Sequence, residues 1–256
     1  MRQPLNHKLS LIAQGEGDIT LVFLHYFSGA AVSWQWVIDQ LKGDFHCLAL
    51  DLPGFGNAPP LADPNLKSYS TFIQSALSQL GIRRCVLIGH SMGGKLALQA
   101  AADCIDGLKQ IILVAPSPPT QEPMPDEERD RMLQDHHSPP VAETTVDSAA
   151  HQKLPESRRA IAIRTHTQAE DRTWRWWLLE GMNHSIAEQM TQIQIPVTVI
   201  ASVDDPVIPW DTIQQEVVGL LPQSELVKLS EVGHLIPLEM PDQLAQTVRR
   251  HIAHQV

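Results

Sequence analysis

Short apolar runs and stretches with helical periodicity alternate along most of this chain. Continuous apolar runs predict strands that are buried on both faces, as the strands of parallel sheets are. Such runs occur at six places: Ile19–Leu24, His46–Leu50, Cys85–Ile88, Gln110–Ala115, Val197–Ala201 and, more weakly, Glu225–Leu229. Ahead of them, the weak alternation of His7–Gln14 and the turn-rich residues 15–18 predict an opening hairpin.

Helical spacing fills the intervals between these runs. In Ser68–Leu80 the apolar positions 72, 73, 76, 77 and 80 share one helix face, and Gly81 ends the pattern. The same spacing predicts further helices at Trp34–Leu41, Lys95–Ala102, Trp210–Leu221 and Asp242–His254. Strands that alternate with helices predict an α/β protein with a mostly parallel central sheet flanked by helices.

One segment interrupts the alternation. From Pro116 to about Gln194 there are no strand-like runs. Prolines interrupt this segment, and helix-like patterns occur at Asp126–Gln134, Arg158–Thr167 and Asp171–Leu179. An unstructured loop of this length is uncommon inside a compact domain. We therefore predict a helical cap at 116–194, inserted into a core formed by 1–115 and 195–256.

Composition narrows the possible partners of the 256-residue chain. A net charge of −10 disfavours nucleic acids and anionic membrane surfaces, because both require basic patches. No apolar run approaches the roughly 20 residues of a membrane span, and the start does not resemble a signal peptide, so we expect a cytoplasmic protein. Cys47 and Cys85 lie in strand-like runs and predict buried thiols. His136 and His137 are adjacent, but no cysteine or carboxylate pattern surrounds them in the sequence, so they predict a polar loop rather than a metal site.

A candidate nucleophile follows the run that begins at Cys85. The sequence Gly-His-Ser-Met-Gly at 89–93 separates this strand from the next helix and places Ser91 at the apex of a sharp turn. Glycines two residues before and after the serine avoid collisions in a strained backbone. The pattern is short and occurs by chance, so it requires a base and an acid elsewhere in the chain.

Two later strand exits supply such groups. His234 follows the last strand, and Asp204 and Asp205 follow the strand Val197–Ala201. Ligands of open parallel sheets bind at the carboxyl ends of the strands, so these side chains are expected beside Ser91. A serine hydroxyl needs a nearby base and a third group that orients the base. His90 adjoins the serine, but we expect its side chain to point away.

Five motifs in this order resemble the α/β-hydrolase superfamily over nearly the whole chain outside the cap. They are His-Tyr-Phe-Ser-Gly at 25–29, Asp-Leu-Pro-Gly-Phe-Gly at 51–56, the turn at 89–94, Asp-Pro-Val-Ile-Pro at 205–209, and Gly-His at 233–234 followed by Leu-Glu-Met-Pro at 238–241. The resemblance implies Ser91 as nucleophile and His234 as general base and then acid. It selects Asp205, directly before the Pro-Val turn, as the orienting acid, and leaves Asp204 to cap that turn.

The resemblance also implies an oxyanion hole formed by the backbone N–H groups of Phe27 and Met92. Tyr26 departs from the family, which usually has glycine after the histidine. The turn at 51–56 is interpreted as a structural element beside the site. Candidate pocket residues are His25, Tyr26, Trp174, Trp176 and Trp177, of which at least one tryptophan is expected to pack in the core.

The predicted function is a serine hydrolase that cleaves a small or medium apolar carboxylic ester or lactone through an acyl-enzyme. It needs no metal and no organic cofactor. Two alternatives within this superfamily are carbon–carbon bond hydrolysis of ring-cleavage products and cofactor-free perhydrolase activity. A third is a non-enzymatic, ligand-binding receptor with the same fold. None of these patterns predicts an oligomeric state.

Overall fold

The sheet has seven strands and a mostly parallel topology. The structure is a computed structural model and describes residues 9–122 and 124–253. The strands are β1 (Leu11–Gln14), β2 (Thr20–Leu24), β3 (His46–Leu50), β4 (Cys85–His90), β5 (Leu108–Val114), β6 (Val197–Ser202) and β7 (Glu225–Leu229). Their order across the sheet is β1-β3-β2-β4-β5-β6-β7. Every pair is parallel except β1 with β3.

The first strand corrects one prediction. The sequence predicts a hairpin at the start of the chain, which would pair β1 with its successor β2. Instead β1 pairs antiparallel with β3, with Leu11 opposite Leu50. The part of the predicted hairpin at 7–8 lies outside the described residues.

Helices connect the strands. They are α1 (Gln35–Leu41), α2 (Leu66–Gln79), α3 (Met92–Ala102), α4 (Asp126–Gln134), α5 (Pro139–Ala149), α6 (Glu156–Thr167), α7 (Asp171–Trp176), α8 (Trp210–Thr212), α9 (Ile236–Glu239) and α10 (Pro241–Ala253). A 3₁₀ turn at Ala31–Trp34 precedes α1, and π-helical turns at Trp177–Gly181 and Ile213–Val217 extend α7 and α8. None of the helices within the described residues is both long enough and apolar enough to cross a membrane.

The core has one layer on each face of the sheet. Side chains alternate between the two faces of a strand, so β2 contributes Val22 to one layer and Phe23 to the other. Helices α2 and α3 cover the first face, and α1 and α10 cover the second. All residues of β2, β4 and β6 are buried, which explains their continuous apolar runs.

Helices α4 to α7 lie between β5 and β6, in the interval where the sequence predicts the cap. They bury apolar side chains against the first layer and against a small cluster that includes Tyr26, Val146 and Leu235. The segment therefore packs on loops that leave the carboxyl ends of the strands. The division into a core and a cap at 116 and 194 remains a prediction.

Candidate active site

Ser91 lies at the apex of a strained turn between β4 and α3. Its backbone has φ 52° and ψ −118°, a conformation that residues with a side chain rarely adopt. Neighbouring backbone holds it there: the Ser91 N–H donates to the Val114 carbonyl at 3.0 Å, and its carbonyl accepts from the Gly94 N–H at 2.8 Å. The turn predicted from the sequence is therefore present and is fixed from both sides.

The glycines around Ser91 are required by close backbone contacts. A Cβ on Gly89 would lie 2.3 Å from the Gly93 carbonyl oxygen. A Cβ on Gly93 would lie 2.4 Å from the Leu24 carbonyl oxygen. Both distances are shorter than any allowed carbon–oxygen contact, so the absence of side chains lets α3 begin directly against the end of β2. This contact brings the loop after β2 next to Ser91.

The structure separates the roles of the two candidate acids. Asp205 Oδ2 accepts a hydrogen bond from His234 Nδ1 at 2.9 Å, and both side chains are almost fully buried. Its other oxygen accepts from the N–H groups of Val207 and Ile208 at 2.8 and 3.0 Å. Asp204 is turned elsewhere and accepts from the Glu231 N–H at 2.7 Å. The carboxylate that contacts His234 is thus the one that the superfamily resemblance selects.

Other parts of the chain hold the His234 loop in place. The His234 N–H donates to the Ala149 carbonyl at the end of α5 at 2.8 Å. Glu239 accepts from the Gly233 N–H at 3.0 Å. His90 donates from Nε2 to the His234 carbonyl at 2.8 Å, so its side chain packs against the His234 loop.

The protonation of these imidazoles follows from their surroundings. Burial by itself would lower the pKa of His234, but the charge and hydrogen bond of Asp205, with the more distant Glu122 and Glu239, raise it above its ordinary value. Burial lowers the pKa of His90 well below its usual range, so this ring is neutral near pH 7. His234 therefore carries its neutral-state proton on Nδ1, and Nε2 is a base.

Ser91 and His234 line one cavity of about 460 Å³. No hydrogen bond joins their side chains within the described residues, and such catalytic contacts often tighten only when substrate binds. The backbone N–H groups of Phe27 and Met92 likewise have no acceptor in the described part of the chain. Phe27 also contributes to the cavity wall. The cavity thus combines a hydroxyl and an imidazole, whereas Met92 is not among its lining residues, and the oxyanion hole stays a prediction.

Two of the five predicted pocket residues line this cavity, namely Tyr26 and Trp177. The prediction for His25 is wrong: its buried ring donates from Nδ1 to the Tyr26 carbonyl at 2.8 Å and accepts from the Leu52 N–H at 3.1 Å. Burial lowers the pKa of His25 to about 4, so the ring stays neutral and can accept that bond. His25 therefore joins the loop after β2 to the turn at 51–56.

Trp174 and Trp176 do not line the cavity, which corrects their assignment to the pocket and agrees with the expectation that at least one tryptophan packs in the core. Trp174 is fully buried, lies 4.3 Å from the ring of Phe27 and donates from Nε1 to the Met132 carbonyl at 2.8 Å. Trp176 stacks on Tyr69 at 5.1 Å, on the far side of α7. A helix turns about 100° per residue, so the adjacent Trp176 and Trp177 point in different directions. Trp174 and Trp177 share a helix face, and only their tertiary contacts separate them.

Sequence reasoning missed several charged side chains in the cavity wall. Glu128 and Arg131 of α4 line it as a bidentate ion pair, and Glu122 lines it near Ser91. The charged, mostly acidic sequence of α4 is typical of a solvent-exposed helix. Glu122 lies in a proline-rich connection that shows no periodicity. Lys95, a charge inside the otherwise apolar α3, was the available signal that a buried acid lies nearby.

His136, His137 and Asp171 are the described residues whose possible metal-ligand atoms converge, all within 4.8 Å of one another. His137 Nε2 is hydrogen-bonded to Asp171 at 2.9 Å, and His136 Nε2 to the Ala169 carbonyl at 3.0 Å. The predicted polar loop is correct only for His137. His136 is buried and stacks on Trp174 at 4.3 Å.

Comparison with known proteins identifies the family. A model described as the alpha/beta hydrolase family matches residues 21–247. The chain belongs to this family. The seven-stranded, mostly parallel sheet with flanking helices is the corresponding fold, as the sequence predicts.

Individual relatives are distant. The putative carbamate hydrolase RutD of Stutzerimonas stutzeri (strain A1501) is 26% identical, with 92% of each chain covered. The dihydrolipoyllysine-residue acetyltransferase component of the acetoin cleaving system of Cupriavidus necator is 36% identical over 104 residues, but the chain spans only 28% of its length. An esterase (EaEST) from Exiguobacterium antarcticum has the same fold, with a TM-score of 0.86 at 17% identity, over 96% of this alpha/beta hydrolase and 94% of the other chain. The family match supports a hydrolase, and the solved esterase shows the shared fold.

Proposed function

We propose that this protein is a serine hydrolase that cleaves a carboxylic ester or a lactone through a covalent acyl-enzyme. The observation that carries the proposal is the buried His234–Asp205 hydrogen bond at 2.9 Å, in the same cavity wall as the strained Ser91. This arrangement offers a nucleophile, a base and a group that fixes the tautomer of the base.

In the first half-reaction the Ser91 hydroxyl oxygen attacks the substrate carbonyl carbon while His234 Nε2 removes the hydroxyl proton. The tetrahedral oxyanion accepts hydrogen bonds from the N–H groups of Phe27 and Met92. One such donor lowers the activation free energy by roughly 3 kcal/mol. The imidazolium is stabilised by Asp205. When the intermediate collapses, the bond to the leaving oxygen breaks and His234 returns its proton to that oxygen.

In the second half-reaction a water molecule takes the place of the alcohol. His234 Nε2 removes one of its protons as the water oxygen attacks the acyl carbon. The same two amides stabilise the second oxyanion. Collapse breaks the bond to Ser91 Oγ, which recovers its proton from His234 and releases the carboxylic acid.

Part of the cavity wall comes from the inserted segment (116–194), which we propose is a cap that encloses an apolar substrate. Apolar side chains from the connection before α4, from α4 and α5, and from the loop after β7 form much of this wall: Met124, Met132, Val146, Ala149 and Leu235. Apolar atoms form most of the cavity surface, but half of the twenty lining residues are polar, including Thr144, Thr145 and Ser148 of α5. A small or medium acyl or alcohol group fits the cavity volume of about 460 Å³.

Active-site labelling tests the nucleophile. We expect a fluorophosphonate probe to add one covalent group to the folded wild-type protein, on the peptide that contains Ser91, as read by intact-mass and peptide mass spectrometry. Ser91→Ala should remain unlabelled and lose turnover while its circular dichroism spectrum is unchanged. Absence of labelling in folded wild-type protein, or turnover that survives in Ser91→Ala, would refute the proposal.

A substrate panel tests the bond that is cleaved. It contains p-nitrophenyl esters of increasing chain length, lactones, and a vinylogous diketone of the kind that ring-cleavage hydrolases accept. We expect the esters or lactones to have the highest kcat/KM. A preference for the diketone would replace the ester proposal by carbon–carbon bond hydrolysis.

A further inference from the structure

Glu122 is a buried acid in the wall of the proposed active site. Its side chain lines the same cavity as Ser91 and His234 and is only 7% exposed. Its backbone N–H donates to the Met182 carbonyl at 2.9 Å, which ties this position to the residues after α7. The carboxyl group is therefore held at the cavity by both chain connectivity and tertiary contact.

One carboxyl oxygen of Glu122 has a partner and the other is free for a ligand. Oε2 accepts a hydrogen bond from Ser117 Oγ. The Ser117 N–H in turn donates to the Ser91 carbonyl at 3.1 Å, so the acid is connected to the nucleophile turn. Oε1 has no hydrogen-bond donor among the described residues, and it is not one of the fully enclosed polar atoms without a partner. Oε1 is therefore accessible to a ligand, and Glu122 lines both the cavity of Ser91 and a neighbouring cavity of about 440 Å³ beside Met182.

Lys95 lies behind Glu122 but does not satisfy its charge. The buried ammonium donates to the carbonyls of Thr120 and Met182 at 2.8 and 3.0 Å. It forms no ion pair with Glu122 among the described contacts. Burial lowers the pKa of Lys95 and raises that of Glu122, and the attraction between the two charges opposes both shifts. The charge of Lys95 thus lowers the free-energy cost of burying the Glu122 carboxylate, but Lys95 does not bind Oε1 of Glu122.

The other acidic and basic side chains in the cavity wall are paired. Glu128 and Arg131 bind each other through two hydrogen bonds, and His234 binds Asp205. Among the described residues of this wall, Glu122 is the charged group without an ion pair. Burying a carboxylate without a charged partner is costly, and such exceptions occur preferentially at functional sites. An apolar ester leaves this group unsatisfied.

We propose that Glu122 is a specificity residue that accepts a hydrogen bond from an amino or hydroxyl group of the substrate. The inference rests on the proposed serine hydrolase and narrows its substrate class to esters that bear such a donor. The remaining cavity wall is mostly apolar, so the donor is expected on an otherwise hydrocarbon acyl or alcohol group. Glu122 binds substrate in this scheme and takes no proton from the reacting atoms.

Matched substrates test this assignment. The probes are ω-amino and ω-hydroxy acyl p-nitrophenyl esters of several chain lengths, each beside the alkyl ester in which a methyl group replaces the polar group. For wild-type protein we expect one chain length at which the polar ester has the higher kcat/KM. In Glu122→Gln the ratio of amino to alkyl kcat/KM should fall about tenfold, the value expected for one charge-assisted hydrogen bond. The hydroxy ester should lose less, because glutamine still accepts a hydrogen bond.

Two variants separate binding from structural support. Glu128→Gln removes a cavity carboxylate that is already paired with Arg131, and Ser117→Ala removes the hydroxyl behind Glu122. Both should keep the wild-type ratio of polar to alkyl esters, whatever they do to stability. An unchanged ratio in Glu122→Gln, or an equal fall in all three variants, would overturn the assignment.

The test remains usable if Glu122→Gln fails to fold. Wild-type protein should then be inactivated faster by an ω-aminoalkyl fluorophosphonate than by the alkyl probe of the same length, and equal rates would contradict a role for Glu122. Failure of the proposed function looks different, because neither probe would label Ser91. Labelling without selectivity therefore rejects only the inference about Glu122.

Discussion

Asp204 and Asp205 are neighbours in the chain with different partners. Asp205 contacts His234 and two N–H groups of its own turn, whereas Asp204 closes the loop onto Glu231. The two carboxylates have different partners because successive side chains in the loop after β6 point in different directions. The two positions therefore form a matched pair for testing the orienting acid.

Replacing Asp205 by asparagine should lower kcat about 10³–10⁴-fold, because the amide favours the wrong tautomer of His234 and cannot stabilise the imidazolium. Asp204→Asn removes a carboxylate one residue away and should keep kcat close to the wild-type value, with a small loss of stability. Steady-state kinetics with a p-nitrophenyl ester measure both. Equal losses in the two variants would contradict the assignment of Asp205.

At the scale of elements, the strand β4, the turn and the helix α3 form one unit whose geometry depends on missing side chains. The hydroxyl of Ser91 reaches the cavity because Gly89 and Gly93 let three backbone segments meet. The positive φ of Ser91 is maintained by hydrogen bonds from both sides of the turn. Strain at the nucleophile is thus offset by packing around it.

Gly89→Ala should destabilise the protein by roughly 2–3 kcal/mol or prevent folding, because its Cβ would meet fixed backbone at 2.3 Å. Gly43→Ala is the control, since a Cβ there has no atom within 4 Å. Denaturant unfolding followed by circular dichroism gives both free energies of unfolding. Equal stability of the two variants would show that the close contact at Gly89 is not maintained in solution.

The end of α7 and the π-helical turn after it place neighbouring tryptophans in different environments. Trp177→Ala should enlarge the cavity and shift the preferred ester towards longer chains. Trp176→Ala should cost about 3–5 kcal/mol of stability, through loss of the stack on Tyr69, and leave the chain-length preference unchanged. The p-nitrophenyl ester series measures this, and the same shift in both variants would argue against Trp177 as a wall of the substrate site.

At the scale of the whole molecule, the inserted segment is joined to the sheet by aromatic contacts. Trp174 lies between Phe27 of the loop after β2 and His136 of the turn before α5. His166 of α6 packs edge-on against the same tryptophan at 4.8 Å. These contacts place the inserted segment over the carboxyl ends of the strands and link its stability to the protonation of buried histidines.

His166 makes this link testable. Neither of its buried ring nitrogens has a partner among the described residues, and burial lowers its pKa from 6.5 to about 4. The unfolded chain therefore binds a proton at pH values where the folded protein does not, and stability falls as pH decreases through this interval. His166→Phe should remove that part of the loss, a gain of about 1–2 kcal/mol relative to wild type near roughly pH 5.

Denaturant unfolding at several pH values measures the effect. The pH dependence should become shallower rather than vanish, because burial also lowers the pKa of His25 to about 4. The exposed His184→Gln is the control and should keep the wild-type curve. Parallel curves for wild type and His166→Phe would rule out proton binding at His166 as a cause.

The sequence by itself determined the strands, the order of the motifs and the strand exits that carry Ser91, His234 and the pair Asp204 and Asp205, between which only the family resemblance chose. Each of these depends on local information: a continuous apolar run, a glycine pattern around a turn, or a residue that directly follows a strand. Because parallel strands present their carboxyl ends at one edge, residues at those ends converge without any knowledge of packing. The seven-stranded sheet and the hydrogen bond between His234 and Asp205 agree with that reasoning.

Only the tertiary structure decided which side chains surround the nucleophile. Glu122 reaches the cavity from a connection without periodicity, and Trp174 forms packing contacts although helical spacing places it on the same face as Trp177. The pairing of β1 with β3 could not be predicted from the sequence either, because it joins residues far apart in the chain. Strand pairing and cavity walls depend on contacts between residues far apart in the chain, whereas periodicity reports only the local environment of each element.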